Sequence, residues 1–318
     1  MPGPRVITFE YGLLDGMKNN LVRRVGDGSI ITRFEKTPNP ENSSDVVCPH
    51  FLELKWATGC PFDCAWCYLK GTLRFMPYKT KPRPKDFTKI EQHVRAFLES
   101  DGHRELLNSG ELADSLMWEA NGNPFSKFII SLFADQSRHR VLFLTKSNKI
   151  RNLLQIGHHD RAVISFSLNA CSVAERFEKG APPVKKRIEA ASKLAEEGYE
   201  VRLRIDPMVP IPNWETEYVD LIDQIFSRMR PERITLGSLR GLQSTINQAT
   251  DRSWVDYVSE KSGWGKKVPF ATRYSMYSHI IGFLKVNGYH NIGLCKETLS
   301  IWQALGMDYS KIKCNCVA

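Results

Sequence analysis

No stretch of this sequence approaches the roughly 18 consecutive apolar residues that a membrane-crossing helix needs. The opening MPGPRVITFE also lacks the apolar core, about 7 to 15 residues long, of a secretory signal. Low-complexity tracts and close internal repeats are missing too, and the composition excludes disorder, collagen and fibre. Together these absences lead us to expect a cytoplasmic protein without a membrane partner. One further gap matters later: no cysteine lies between Cys67 and Cys171. What is present is ordinary for a globular chain of 318 residues, with 42% hydrophobic and 25% charged side chains. Such a length allows two domains or one α/β barrel. Lys and Arg (44) outnumber Asp and Glu (35), and the net charge of +9 favours an anionic partner without naming it.

Eight cysteines are present, and in a reducing compartment thiols or metal ligands are expected before disulfides. They are grouped: Cys60, Cys64 and Cys67 in one loop, Cys295, Cys314 and Cys316 near the end, Cys48 and Cys171 alone.

From residue 51 onward, short β-branched or aliphatic runs alternate with helical patterns, which implies a parallel sheet. The strand candidates are residues 51–56, 104–108, 140–145, 161–168, 201–205 and 233–236. Pro182 and Pro183 open a helix whose stripe is Val184, Ile188, Ala191, Leu194 and Ala195, with Gly198 as its stop. Asn213 is a plausible N-cap for the next helix, which buries Trp214, Tyr218, Leu221, Ile222, Ile225 and Met229. A further helical pattern surrounds residues 274–284. Six βα units fall short of the eight that close a barrel, so the expected fold is α/β, an incomplete (β/α)6 barrel open on one side. Residues 1–50 form an N-terminal extension, 51–240 the partial barrel, and 241–318 a C-terminal helical region with a Cys-rich end.

Directly after the first barrel strand comes Gly59-Cys60-Pro61-Phe62-Asp63-Cys64-Ala65-Trp66-Cys67-Tyr68. Three thiolates in eight residues can wrap a 4Fe–4S cube from one side and leave its fourth iron without a protein ligand, open to substrate or cofactor. A zinc knuckle short of one ligand, or plainly buried cysteines, are the bland alternatives.

These residues resemble the radical SAM superfamily, in which such a loop follows the first barrel strand and S-adenosylmethionine (SAM) chelates the unique iron. The likeness narrows to the spore photoproduct lyase-like group over roughly residues 50–225. Cys60 to Leu69, Leu144-Thr145-Lys146, Ser165 to Ala170, Phe177-Glu178 and Arg187 to Ala191 carry it. The resemblance implies reductive cleavage of SAM to methionine and a 5′-deoxyadenosyl radical, with an external donor such as flavodoxin or ferredoxin supplying the electron. It places Lys146 at the methionyl carboxylate and Ser167 with Asn169 at the ribose, and Arg204 joins the SAM-binding candidates. Asn108 to Ser115 is similar to the Gly-Gly-Glu segment that holds the SAM amino group, which nominates Gly110, Glu111 and Asp114. Alternatively Gly110 only makes a turn while Glu111 and Asp114 favour the start of a helix.

The departures from that group bear on the reaction. Its loop cysteine, which returns a hydrogen atom to the thymine product radical, has no counterpart here, and Trp66 stands where a second tyrosine would be. Tyr68 or Cys171 is left as candidate donor; a lone cysteine after a strand is more often core packing. Rearrangement or modification of a thymine-derived base in DNA is therefore expected at least as much as repair. Chemistry on a peptide or small metabolite, and a nucleic-acid-binding protein with structural metal only, are the rivals.

Two segments lie outside this scheme. Lys70, Arg74, Lys79, Lys81, Arg83, Lys85 and Lys89, interleaved with Phe75, Tyr78 and Phe87, make a candidate DNA surface, as cations neutralise phosphates and aromatic faces stack unpaired bases. Solvated charge around an extended Pro82/Pro84 linker is the plainer reading. Residues 261–273 with Trp264 form a second basic patch. Cys295, Cys314 and Cys316 suit a second iron–sulfur cluster, its fourth ligand missing, supplied by Cys48 or taken by substrate. Zinc or free thiols are the alternatives.

Overall fold

The computed structural model describes residues 3–35 and 42–318; residues 1, 2 and 36–41 of the N-terminal extension lie outside them. Among the described residues ten strands form one mixed sheet. An antiparallel meander, β1 (Val6–Gly12), β2 (Lys18–Val25) and β3 (Ile31–Phe34), pairs through β3 with β4 (Phe51–Leu54). From β4 the order follows the chain, all parallel: β5 (Leu106–Asn108), β6 (Arg140–Thr145), β7 (Ala162–Leu168), β8 (Glu200–Met208), β9 (Arg233–Ser238) and β10 (Ile292–Leu294).

All six expected strands are present, with β4 and β5 shorter than the sequence suggested. The sheet is larger than expected at both ends: β1 to β3 extend it on one side, and β10 adds a seventh parallel strand on the other. The flanking segments therefore share the sheet of the central region. The α/β class holds; the arrangement is a large open mixed sheet.

Alternation along the parallel strands separates two environments. Val141, Phe143, Ile164, Phe166, Leu203, Ile205, Ile234 and Leu236 join the main apolar core with the stripes of the crossover helices, among them Val184–Glu196, Trp214–Phe226 and Phe270–Val286. Their neighbours Arg140, Ser165, Ser167, Arg202, Arg204, Asp206, Arg233 and Thr235 point the other way, where a two-sided parallel sheet would ordinarily be apolar. The helix after Asn213 starts where expected, yet Asn213 takes a left-handed φ of 60° and its side chain caps nothing.

That polar face is covered by the chain's own end. Asn315 is fully buried; its Nδ2 donates to Ser165 Oγ (2.6 Å) and to the Leu203 carbonyl (3.0 Å), and its Oδ1 accepts from Thr235 Oγ1 (2.8 Å). Arg202 donates to the carbonyls of Asn315 and Val317, and Arg233 to that of Cys314. The tail passes so close to β10 that a β-carbon on Gly293 would lie 2.8 Å from the Lys313 carbonyl oxygen.

A second buried network ties the C-terminal region down. Fully buried Glu297 meets Arg273, Lys267 (3.6 Å), Tyr277 (2.8 Å) and Ser238 (2.8 Å). This corrects the second basic patch: Lys267 and Arg273 are interior ion-pair partners, and Trp264 is half-buried against Phe34. No described helix is long and apolar enough to cross a membrane.

Candidate active site

The cysteine loop is held by backbone pairing on two sides. Ala57–Thr58 pairs with Arg83–Pro84, and Asp63–Cys64 with Glu178–Lys179. The Cys60 N–H donates to the Thr80 carbonyl (2.9 Å) and the Ala65 N–H to that of Phe177 (2.8 Å). Gly59, at φ 85°, runs against the Lys81 backbone, where any side chain would collide; only glycine meets both demands.

Cys60, Cys64 and Cys67 line a cavity of about 480 Å³ at the C-terminal ends of the parallel strands. Burial pushes all three thiols up, Cys64 to about 12. A bound metal reverses this, because its charge favours the thiolate. The donor set of three soft sulfurs on one wall fits a cluster with one open iron.

The other expected residues divide. Gly110, Glu111, Asp114, Lys146, Ser167, Arg204 and Tyr68 line the same cavity. A β-carbon on Gly110 would collide with Leu144, so glycine lets this loop lie against β6. Glu111 accepts from Asn108 Nδ2 (3.1 Å) and stands 3.4 Å from the Tyr68 hydroxyl, which also donates to its carbonyl. Asp114 is committed to the fold: Oδ1 accepts from Thr145 Oγ1 (2.7 Å) and the Leu116 N–H (3.0 Å), Oδ2 from the Lys146 N–H (2.8 Å). Lys146 Nζ lies 3.6 Å from Glu178, itself 2.5 Å from fully buried Arg187. Burial works against the Lys146 charge, but the Glu178 carboxylate outweighs it and keeps the ammonium above its ordinary pKa.

Two expectations are overturned. Asn169 is fully buried outside the cavity; Nδ2 donates to the Pro207 carbonyl (2.8 Å) and Oδ1 accepts from the Tyr218 hydroxyl (2.9 Å) and the Ala170 N–H (3.0 Å), which puts it out of reach of a ribose there. Cys171 is exposed at the start of helix Cys171–Phe177 and outside the cavity, which removes it as a hydrogen donor there.

The structure also adds residues that the sequence did not single out for this cavity. Cys48, Cys295, Cys314 and Cys316 all line it. Asp206 and Arg240 form a two-pronged pair inside it (2.7 and 3.0 Å). Burial opposes ionisation of Asp206, yet Arg240 holds its carboxyl well below the usual range. Glu53 on β4 is raised to about 7 by burial and by the Glu111 carboxylate. The alternation of Phe51 and Glu53 toward the cavity with Leu52 and Leu54 toward the core was the available signal for Glu53.

The family model described as Spore photoproduct lyase matches residues 50–236. This chain belongs to the spore photoproduct lyase family. It is 29% identical over 188 residues to the spore photoproduct lyase of Bacillus subtilis (strain 168), covering 54% of this chain and 50% of that one. With the spore photoproduct lyase of Clostridium acetobutylicum it shares 24% over 185 residues, 56% of this chain and 52% of the other. The chain thus spans about half the length of the curated relatives it matches. Its fold is similar to that of a spore photoproduct lyase complexed with dinucleoside spore photoproduct (TM-score 0.65, 18% identity, 81% of this chain and 78% of that one). It is also similar, more distantly, to Streptococcus suis SuiB bound to precursor peptide SuiA (TM-score 0.52, 12% identity, 78% and 49%). The family match ends at the last strand the sequence anticipated, so β10 and the three C-terminal cysteines lie beyond it.

Proposed function

We propose that this chain is a radical SAM enzyme acting on a thymine-derived base in DNA, rearranging, modifying or repairing it. The observation that carries the reading is the placement of Cys60, Cys64 and Cys67 in one cavity with Gly110, Glu111, Lys146, Ser167 and Arg204. A spore photoproduct lyase structure with bound AdoMet has the same overall fold, and the sheet is read as the wall of a partial barrel with its site at the strand ends. When bound, a 4Fe–4S cluster with SAM supplies one electron from an external donor such as flavodoxin or ferredoxin, and a 5′-deoxyadenosyl radical that abstracts hydrogen.

The chain's own residues bind, orient and exclude water. Cys60, Cys64 and Cys67 would hold the cluster through their thiolates. Glu111 offers a carboxylate to an ammonium, and Gly110 permits close backbone approach to it. Lys146 supplies a cation for a carboxylate, and Arg204 lines the cavity beside it with a guanidinium nitrogen 3.0 Å from Cys316 Sγ. Ser167 takes the hydroxyl-binding place alone now that Asn169 is occupied. Leu144, Trp66 and Phe62 give the cavity apolar wall that keeps water from a reactive radical.

Support for a DNA substrate comes from the surface behind the loop. Phe75 is 84% exposed, Met76 and Tyr78 about half, and Arg74 lies over the Phe75 ring (4.2 Å) and Arg83 over that of Tyr78. Four of the seven basic residues have a partner within the fold: Lys70 with Asp63 (2.7 Å), Lys85 with the Ser29 carbonyl (2.5 Å), Lys89 with Asp27 (3.5 Å) and Arg74, through one guanidinium nitrogen, with the Gly71 carbonyl (2.5 Å).

The test is anaerobic: reconstituted protein with SAM and a reductant should release 5′-deoxyadenosine, and Cys64→Ala should abolish it. Undiminished release in that variant, or zinc as the sole metal of the wild type, overturns the reading.

A further inference from the structure

We propose that Cys48, Cys295, Cys314 and Cys316 hold a second 4Fe–4S cluster, in the same cavity as the first cysteine loop. This stands independently of the function proposed above.

The thiols come from three distant parts of the chain, and all four are buried on one cavity wall. Each is placed by a specific device. Val46–Val47 pairs with Glu297–Thr298, which brings Cys48 and Cys295 to the ends of one short ladder. Lys296, between Cys295 and Glu297, takes a left-handed φ of 47°, a conformation a lysine holds only where its surroundings impose it. Asn315 sits between the other two, and its side-chain bonds to Ser165, Leu203 and Thr235 fix Cys314 and Cys316 against the sheet. A free tail has no need of a fully buried asparagine making three such bonds.

The surroundings suit an anion built on sulfur. Arg204 donates to Cys316 Sγ (3.0 Å), Asn108 to the same sulfur (3.7 Å) and Arg240 to Cys295 Sγ (3.7 Å). The Nε of Arg204, a residue only 9% exposed, has no hydrogen-bond partner among the described residues. Four thiolates around a 4Fe–4S core carry about two net negative charges, toward which Arg204 supplies a cation, the charge of Arg240 being met by Asp206 beside Cys295, and N–H donors to sulfur tune such clusters.

An all-sulfur donor set is soft enough for an iron–sulfur cluster or for zinc, and a count of iron, sulfide and zinc separates the two. Loading is a ligand exchange: a preformed cluster bearing small thiolates gives up its Fe–S bonds to them, each protein thiol forms one in place, and its proton leaves on the departing thiol. No iron changes oxidation state.

The experiment loads the full chain anaerobically with a preformed 4Fe–4S cluster carrying alkyl thiolates, then counts iron, sulfide and zinc. Wild type should hold about 8 iron and about 8 sulfide. The variant Cys60→Ala/Cys64→Ala/Cys67→Ala should keep about half, with 4Fe–4S absorption, while losing all SAM cleavage. The variant Cys48→Ser/Cys295→Ser/Cys314→Ser/Cys316→Ser should also fall to about half. A four-Ser variant that holds as much iron as the wild type overturns the proposal, as does a first-loop variant free of iron or a wild type carrying one zinc. Failure of the first loop alone would show as iron kept in the second group without SAM cleavage in the wild type.

Discussion

Asn315 donates its side-chain amide to Ser165 Oγ at 2.6 Å, across 150 residues of sequence. With Thr235 completing the set, this bond makes the last residues of the chain part of the sheet's inner face and carries a cysteine on either side into the cavity.

Asn315→Leu should remove three buried hydrogen bonds and strand the Ser165 hydroxyl, while the Thr235 hydroxyl keeps the Asn315 N–H as its donor. The expected loss is about 2 kcal/mol or more, read as a lower midpoint in urea denaturation. It should also reduce the iron held by the second cysteine group, whereas a stability loss with full iron content would show that the tail matters only for folding.

Glu297→Ala takes the carboxylate from fully buried Lys267, leaves Arg273 with Glu260 as its one carboxylate, and removes the acceptor of the Tyr277 and Ser238 hydroxyls. Breaking such a network typically costs about 3 to 5 kcal/mol. A melting temperature within a degree or two of wild type would refute this assignment.

Glu53 titrates near 7 in the fold against an ordinary value of 4.5. Between those values the folded chain keeps a proton that the unfolded chain has released, so stability falls as pH rises through that window. The effect reaches up to about 3 kcal/mol at about 1.4 kcal/mol per unit. In Glu53→Gln the fall between pH 4.5 and 7 should be smaller in denaturant titrations; an unchanged slope would count against the shift.

Replacing Arg74, Lys79, Lys81 and Arg83 with Ser should flatten the salt dependence of DNA binding, the log–log slope shrinking by about 0.7 to 0.9 for each phosphate that is no longer neutralised. Lys85 belongs outside this set because its ammonium is bonded to the Ser29 carbonyl. An affinity indifferent to salt and to these changes would turn the search toward a peptide or metabolite.

Cys171→Ala should leave product formation unchanged, since this thiol lies outside the cavity. Deuterium-labelled substrate then separates the remaining routes. Label returning to product from 5′-deoxyadenosine marks a rearrangement; conversion of a thymine dimer to two thymines that is lost in Cys171→Ala would contradict the placement.

The sequence by itself determined what depends on neighbours along the chain. The spacing of Cys60, Cys64 and Cys67, the six strand runs and the Pro183 to Gly198 helix are local patterns, and a period of two or 3.6 shows in any short window. Tertiary structure decided what depends on distance through space. Asn169 looked free at a strand end until Pro207 and Tyr218 were found on its amide. Lys267 and Arg273 read as surface charge because their partner Glu297 is remote in sequence. Cys48 was one of several ways to complete the C-terminal cysteine group until the pairing of residues 46–47 with 297–298 set it near Cys295. Side-chain hydrogen bonds and ion pairs across a folded core leave no periodic trace in the chain, so which cysteines share a cavity was legible only after folding.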